Sequence, residues 1–100
     1  MKSFTVTRKA RADIKSISIY TQKRWGKVQR KLYAKQFDEA FHMLAENPEV
    51  GKDCDYIKSG YKKFPHASHV IFFRSVSNEG IEIVRILHKR MDARSRQTIS

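Results

Sequence analysis

Ionisable side chains cluster at the end of one apolar segment near the C-terminus. Residues 81–87 are apolar except for Glu82 and Arg85, and a polar cluster follows them directly. That cluster consists of His88, Lys89, Arg90 and Asp92. A segment that is apolar at both parities predicts a strand covered on both faces, which would hold the cluster at a fixed end of a sheet. An imidazole titrates near neutral pH, so such a cluster could serve in catalysis or in partner binding.

Arg85 interrupts the apolar run, and a guanidinium is costly to bury unless a carboxylate or a partner meets it. We therefore predict a structural arginine paired with Asp92, Glu82 or Asp38, with a contact surface as the alternative. His88 is predicted to be a hydrogen-bonding scaffold residue more readily than a catalyst. Asp92 is predicted to cap a terminal turn or, alternatively, to orient His88.

A second basic set precedes the cluster in the sequence. Lys62, Lys63 and Arg74, together with Tyr61, have the composition of a basic and aromatic patch. Such patches contact phosphates or stack on bases, although a solvated strand face gives the same pattern. The sequence leaves these two interpretations balanced.

The remaining reactive residue types suggest little chemistry. His66 and His69 flank Pro65 without the spacing of a zinc site, and the single cysteine, Cys54, cannot form an internal disulfide. We predict no metal and no cofactor, and we expect Cys54 to be a small half-buried side chain. Trp25 is expected to pack the open end of a helical hairpin; if exposed, it would be a binding hot spot.

Length and charge narrow the class of protein. One hundred residues make one domain, and the net charge of +11 points to an acidic partner. No stretch has the length of a transmembrane helix or the pattern of a secretory signal, so no membrane partner is expected. The lone cysteine fits a reducing cytoplasm.

The first half of the chain predicts a strand followed by two helices. Phe4–Thr7 alternates as a strand does, and Thr7 can cap the helix after it. The predicted buried stripe of the first helix is Ala10, Ile14, Ile17 and either Tyr20 or Thr21. The predicted stripe of the second is Val28, Leu32, Phe37, Ala40, Phe41 and Leu44. Gly26 between the helices implies an antiparallel hairpin, and Pro48 ends the second helix.

The second half predicts an irregular linker over 47–60 and then three strands. A strand over Tyr61–Phe64 is stopped by Pro65, another covers His69–Val76, and a turn over 77–80 leads into the final strand. The predicted fold is therefore α+β, with an N-terminal strand and an antiparallel helical hairpin packed on a mainly antiparallel sheet. We assign residues 1–92 to the single domain and 93–100 to a basic C-terminal tail that frays.

The chain resembles the ParE branch of the RelE/ParE toxin superfamily along nearly its whole length, and the order of its elements agrees as well. The motifs that carry the likeness are Arg85-Ile86-Leu87-His88 followed by Met91-Asp92, Gly60-Tyr61-Lys62-Lys63-Phe64-Pro65 leading into His69-Val70-Ile71-Phe72-Phe73, and Asn47-Pro48 before Gly51.

The resemblance implies a toxin of a type II toxin–antitoxin system that inhibits DNA gyrase and so blocks replication. Its partner would be a ParD-type antitoxin whose flexible acidic half wraps the toxin, which suits the positive charge. Direct binding of nucleic acid is expected to be secondary. Within this likeness, the residues that we assign to antitoxin or target binding are Lys62, Lys63, Arg74, Arg85, His88, Lys89, Arg90 and Asp92.

The alternative within the superfamily is a ribosome-dependent messenger RNA endonuclease of the RelE type. Its chemistry needs a base for the ribose 2′-hydroxyl, cations for the phosphorane-like state and an acid for the leaving oxygen. RelE-like members place a catalytic tyrosine, or a histidine–tyrosine pair, near the C-terminus. Here His88 could replace the base and Arg90 falls near an expected arginine, but no tyrosine follows Tyr61. The resemblance therefore favours a toxin that is not an enzyme.

Overall fold

The structure, a computed structural model, describes residues 2–77 and 80–99. Its elements are β1 (Ser3–Val6), α1 (Arg8–Trp25), α2 (Lys27–Glu46), a 3₁₀ turn (Pro48–Val50), β2 (Lys52–Asp53), β3 (Tyr61–His66), β4 (His69–Ser77), β5 (Gly80–His88), a second 3₁₀ segment (Lys89–Arg94) and α3 (Ser95–Ile99). The strands form one sheet in the order β1-β5-β4-β3-β2, in which β1 lies parallel to β5 and the other pairs are antiparallel. The predicted α+β architecture is confirmed.

The two long helices form the predicted hairpin because the sequence carries one local signal before α1 and another between the two helices. The Thr7 side chain accepts a hydrogen bond from the Ala10 amide at 3.1 Å, which caps α1 as predicted. Gly26 ends α1 with a φ of 94° and donates its amide to the Gln22 carbonyl at 2.9 Å. Because Gly26 alone connects the two helices, α2 runs back along α1.

The sheet is covered on both faces, as the apolar pattern of the final strand predicts. Ile71 and Phe73 of β4 pack with the helices, whereas their neighbours Val70 and Phe72 belong to a second cluster on the opposite face. The helix-side cluster also contains Phe37, Ala40, Phe41, Leu44, Ile81, Ile83 and Ile86. The second cluster also contains Cys54, Ile57 and Leu87, with Ile99 of α3 packed against it.

A β-bulge at Val84 explains why β5 is apolar at both parities. Phe73 pairs with Ile83 but Phe72 pairs with Arg85, so Val84 lies outside the pairing with β4. The Ile83 carbonyl accepts from the Thr7 amide at 3.0 Å, and the Val84 carbonyl accepts from the Thr7 hydroxyl at 2.8 Å. The extra residue shifts the alternation by one, so that Ile83 and Ile86 both contact the helices.

Arg85 pairs with Asp13 of α1, and the partners predicted from the sequence are wrong. Its Nε and Nη2 atoms donate to the two oxygens of Asp13 at 2.8 and 3.0 Å. The Ile86 amide donates to the same carboxylate at 3.0 Å, just beyond the point where β1 ends. The structural role predicted for Arg85 is therefore confirmed, but its partner is 72 residues away, and no local pattern indicates that separation.

The buried stripes predicted for the helices are correct only in the halves that lie over the sheet. Tyr20, Val28 and Leu32 are exposed, whereas Thr21, the alternative to Tyr20, is buried. Trp25 is exposed as well and does not pack the end of the hairpin. The helical residues that do contact the core include Ala10, Ile14, Ile17, Tyr33, Phe37, Ala40, Phe41 and Leu44. The closed end of the hairpin therefore extends past the core, and apolar side chains there remain exposed to solvent.

Three boundaries also differ from their predictions. Pro65 does not stop β3, because β2 pairs only with Lys62 and Lys63 and leaves Pro65 on a free edge. The predicted irregular linker contains the 3₁₀ turn and β2. Within the described residues, the predicted C-terminal tail contains α3 over Ser95–Ile99. Asn78 and Glu79 of the predicted turn lie outside the described residues.

Among the described residues, no helix combines the length and the apolar character needed to cross a membrane.

The contact between Arg85 and Asp13 yields a stability prediction. Asp13→Ala leaves the guanidinium and the Ile86 amide without their acceptor, so we expect unfolding to become easier by about 2–4 kcal/mol. Asp53→Ala is the matched control, because its partner Lys62 and its own side chain lie in a more exposed pair. The control should lose less than about 1 kcal/mol in urea unfolding. Equal losses in the two variants would contradict the structural role assigned to Asp13.

Candidate functional site

A groove of about 730 Å³ opens between the helical hairpin and one end of the sheet. Its walls are the C-terminal half of α1, the start of α2, the β3–β4 turn and the residues at the end of β5. The lining residues are Ser16, Ile17, Tyr20, Thr21, Arg24, Trp25, Gln29, Tyr33, Ala67, Ser68, His69, His88, Arg90 and Met91. The groove forms because α1 is held on β5 while the hairpin extends past the sheet.

The rim of the groove carries large side chains that the fold leaves uncovered. Tyr20 is 63% exposed and Trp25 is 64% exposed, and the Arg24 guanidinium lies 5.4 Å from the centre of the Trp25 ring. Met91 is exposed on the opposite wall, next to Arg90. Exposed tryptophan, tyrosine and arginine are the residue types that dominate binding energy at protein interfaces. This rim therefore has the composition of a binding site for a protein.

A tyrosine and two histidines meet inside the groove. The Tyr33 hydroxyl lies 2.8 Å from Nδ1 of His69, and the rings of His69 and His88 lie edge to face with centres 5.4 Å apart. Nδ1 of His88 accepts a hydrogen bond from the Arg90 backbone amide at 3.1 Å. The scaffold role predicted for His88 agrees with this bond, which fixes the turn that follows β5.

Burial keeps the His69 imidazole uncharged at neutral pH. Burial, with smaller contributions from His88 and His66, lowers the pKa of His69 from 6.5 to about 4. Burial alone lowers the pKa of His66 and raises the pKa of Tyr33. At neutral pH Tyr33 therefore keeps its proton and can donate it to a neutral His69. The arginines that line the groove, Arg24 and Arg90, lie on its rim.

The basic residues predicted on the sheet are held in ion pairs. Lys62 pairs with Asp53 at 2.7 Å, and Arg74 pairs with Glu82 at 2.9 Å. Nζ of Lys63 donates to both oxygens of Asp92 at 3.0 and 2.9 Å. Lys63 of β3 therefore binds the Asp92 carboxylate, which within the described residues neither caps the terminal turn nor orients His88.

The pKa of Lys63 is raised although burial acts against its charge. The hydrogen bonds to Asp92 and to the Tyr56 hydroxyl, together with the charge of Asp92, outweigh that burial. The lysine is therefore a fixed structural cation.

The eight predicted binding residues do not form one site. His88 and Arg90 line the groove, and the backbone amide of Lys89 donates to the Ser68 carbonyl at the same end. The others lie in separate ion pairs, namely Lys62 with Asp53, Lys63 with Asp92, Arg74 with Glu82 and Arg85 with Asp13.

Two lining residues that sequence reasoning did not assign to a site complete the groove. Tyr33 falls four residues before Phe37, so helical spacing alone would have placed it on the core side of α2. His69 begins a predicted strand and lacks the spacing of a zinc ligand, and its pairing with His88 depends on the register of β4 and β5.

No metal site or reactive cysteine adds to this picture. Among residues 2–77 and 80–99, no group of three His, Cys, Asp or Glu side chains could hold a metal ion. Cys54 is fully buried, more deeply than predicted, and burial raises the pKa of its thiol despite the opposing charge of Lys63.

Comparison with known proteins gives consistent results. A family model described as ParE toxin of type II toxin–antitoxin system, parDE, matches residues 4–93. Toxin ParE1 of Caulobacter vibrioides is 36% identical over 95 residues, which cover 95% of this chain and 97% of that relative. Toxin ParE1 of Mycobacterium tuberculosis is 39% identical over 83 residues, covering 83% of this chain and 85% of the relative.

A solved structure shares the fold. A chain of the chromosomal ParDE TA system from P. aeruginosa superposes with a TM-score of 0.72 at 23% identity, covering 88% of this chain and 96% of that chain.

The depressed pKa of His69 predicts how stability varies with pH. The unfolded state, in which the imidazole titrates near 6.5, binds a proton that the folded state takes up only near pH 4. Stability should therefore fall as the pH drops from about 6.5 to about 4, by about 1–2 kcal/mol after allowance for partial exposure. His69→Gln should flatten this slope in urea unfolding, whereas His42→Gln, at an exposed position, should leave it unchanged. An unaltered slope in His69→Gln would refute the assignment.

Proposed function

This chain belongs to the ParE toxin family of type II toxin–antitoxin systems, and from that membership we propose that it stops replication by binding DNA gyrase in the cytoplasm. Gyrase cuts DNA and rejoins it, so a protein that occupies the cut state would leave broken DNA without breaking a bond itself. The single observation that carries the proposal is the uncovered rim of the groove, where Trp25, Tyr20 and Arg24 have no internal partner large enough to bury them.

The distribution of charge supports binding at the groove end. The sheet residues Lys62, Lys63 and Arg74 each face a carboxylate, so a partner would have to break an ion pair to reach them. Arg24 and Arg90 line the groove, and within residues 2–77 and 80–99 neither side chain forms an ion pair. A partner with acidic side chains around an apolar centre would match them.

The chemistry of the inner groove supports a role without catalysis. General acid–base catalysis is most effective when the pKa of the catalytic group lies near the working pH. The pKa of His69 is held near 4, and its Nδ1 atom is occupied by Tyr33. The Nδ1 atom of His88 accepts the Arg90 amide. These groups are suited to fixing the wall of the groove.

We further propose a ParD-type antitoxin as the natural inhibitor. The net charge of +11 would attract a flexible acidic segment quickly, and such a segment gains area by folding along the surface. If it covers the rim of the groove, it removes the surface that gyrase would need. Neutralisation is then simple competition for Trp25 and its neighbours.

One observation favours a second function, ribosome-dependent cleavage of messenger RNA. The contact between Tyr33 and His69, with His88 and Arg90 in the same groove, supplies a tyrosine that the C-terminal sequence lacks. A neutral imidazole could accept the proton of a 2′-hydroxyl, and Arg90 could face a phosphate. The low pKa of His69 makes it a weak base, so this function ranks second.

Gyrase inhibition is predicted to depend on Trp25. Trp25→Ala removes the most exposed aromatic side chain of the rim, and a hot-spot loss of about 2 kcal/mol corresponds to roughly 30-fold in the concentration needed. Tyr56→Ala is the matched control, since Tyr56 is 52% exposed, contacts Lys63 and does not line the groove. The measurement is accumulation of linear DNA from supercoiled plasmid incubated with purified gyrase and each variant.

Two outcomes of this experiment would contradict the proposal. Undisturbed supercoiling at a large excess of the unaltered chain would remove gyrase as the target. Cuts in messages on translating ribosomes, lost in His69→Gln or His88→Ala, would instead establish the nuclease.

A further inference from the structure

The outer face of the helical hairpin concentrates positive charge that the fold does not neutralise. Between Asp13 and Asp38 the sequence contains no acidic residue. Five exposed cations of this stretch define a cationic hairpin face, namely Lys15, Lys27, Arg30, Lys31 and Lys35. Within the described part of the chain none of the five forms an ion pair, in contrast to Lys62, Lys63 and Arg74 of the sheet.

These cations share one side of the hairpin, away from the groove. A shallow cavity of about 290 Å³ is lined by Ser18 of α1 and by Lys27, Arg30, Lys31 and Ala34 of α2. Lys15 lies one helical turn before Ser18, and Lys35 lies one turn after Lys31, so both extend the same side. Cations at 27, 31 and 35 follow the helix axis at intervals of about 6 Å.

The chemistry of this face fits phosphate better than protein. Lysine is depleted at protein interfaces, which need an apolar or aromatic centre, whereas the cavity here is lined by cations and two small residues. Lysine, arginine and serine are common contacts of a nucleic-acid backbone, whose oxygens only accept hydrogen bonds. The contact of Arg30 with Gln22, at 2.6 Å, leaves its charge uncompensated.

We propose that the cationic hairpin face binds the phosphate backbone of duplex DNA, independently of base sequence. The choice of DNA over RNA rests on the proposed function, because gyrase holds a DNA duplex beside any inhibitor bound to it. The groove would then contact the enzyme while the outer face of the hairpin contacts its DNA. Two surfaces used together would raise the affinity for gyrase that carries DNA over gyrase alone.

The test is the affinity of the purified chain for a fluorescent DNA duplex of roughly 30 base pairs, measured between about 50 and 200 mM salt. The variant Lys27→Ala/Arg30→Ala/Lys31→Ala removes three charges from the hairpin face. A control variant, Lys2→Ala/Lys52→Ala/Lys58→Ala, removes the same charge from exposed positions outside the hairpin. We expect at least about tenfold weaker binding for the hairpin variant and a salt slope flatter by about 2–3. The control should lose about threefold or less.

A second variant keeps the test valid if the triple substitution impairs folding. Lys15→Ala/Lys35→Ala changes the two ends of the same face and should flatten the salt slope by about 1–2. Equal losses in the hairpin and control variants, or no binding by the unaltered chain at low salt, would overturn the proposal. Binding to an RNA duplex tenfold or more tighter than to DNA would overturn the choice of DNA. Loss of affinity for an acidic antitoxin peptide, with DNA affinity unchanged, would assign the face to a protein instead.

Failure of this proposal is separable from failure of the gyrase proposal. Gyrase inhibition without DNA binding would remove the DNA contact and leave gyrase as the target. If the unaltered chain does not affect gyrase but binds DNA, and the hairpin variant loses that binding, the DNA contact stands and gyrase is removed as the target.

Discussion

The geometry of the groove depends on the double contact between Arg85 and Asp13. The Asp13 carboxylate accepts from the guanidinium and from the Ile86 amide, so helix α1 is fixed to β5 beyond the point where the pairing of β5 with β1 ends. The bulge at Val84, whose carbonyl accepts a hydrogen bond from the Thr7 hydroxyl, fixes the register of the same strand. Both contacts are needed because the groove lies between α1 and the end of β5, and a shift of either would open or close it.

Charge is divided between the two ends of the molecule in a way that composition does not show. Three carboxylates, those of Asp53, Asp92 and Glu82, each form an ion pair with a cation of the sheet. The hairpin from 14 to 37 has none, so the net charge of +11 is concentrated there. Ion pairs on the sheet contribute modestly to stability, but they also withdraw those cations from partner binding. The groove and the hairpin are left as the surfaces available to other molecules.

Local signals in the sequence were enough for the fold and insufficient for the site. The cap at Thr7, the turn at Gly26 and the apolar pattern of β5 each depend on a few neighbouring residues, and each prediction is confirmed. The partner of Arg85 and the contact of Tyr33 with His69 depend on how α1 and α2 lie on the sheet, which no short pattern encodes. Trp25 was expected to pack the end of the hairpin but is exposed, because no local pattern shows where the sheet beneath a helix ends.

Hydroxyl-radical footprinting of the chain in complex with gyrase tests most directly whether the groove end is the working surface. Tyr20 and Trp25 are 63% and 64% exposed, and Tyr56, at 52% and outside the lining of the groove, provides an internal reference. The account predicts that gyrase protects Tyr20, Trp25 and Met91 from oxidation while Tyr56 stays reactive. Protection of Tyr56 with an unchanged Trp25 would contradict it, and so would unchanged reactivity of all four at saturating gyrase.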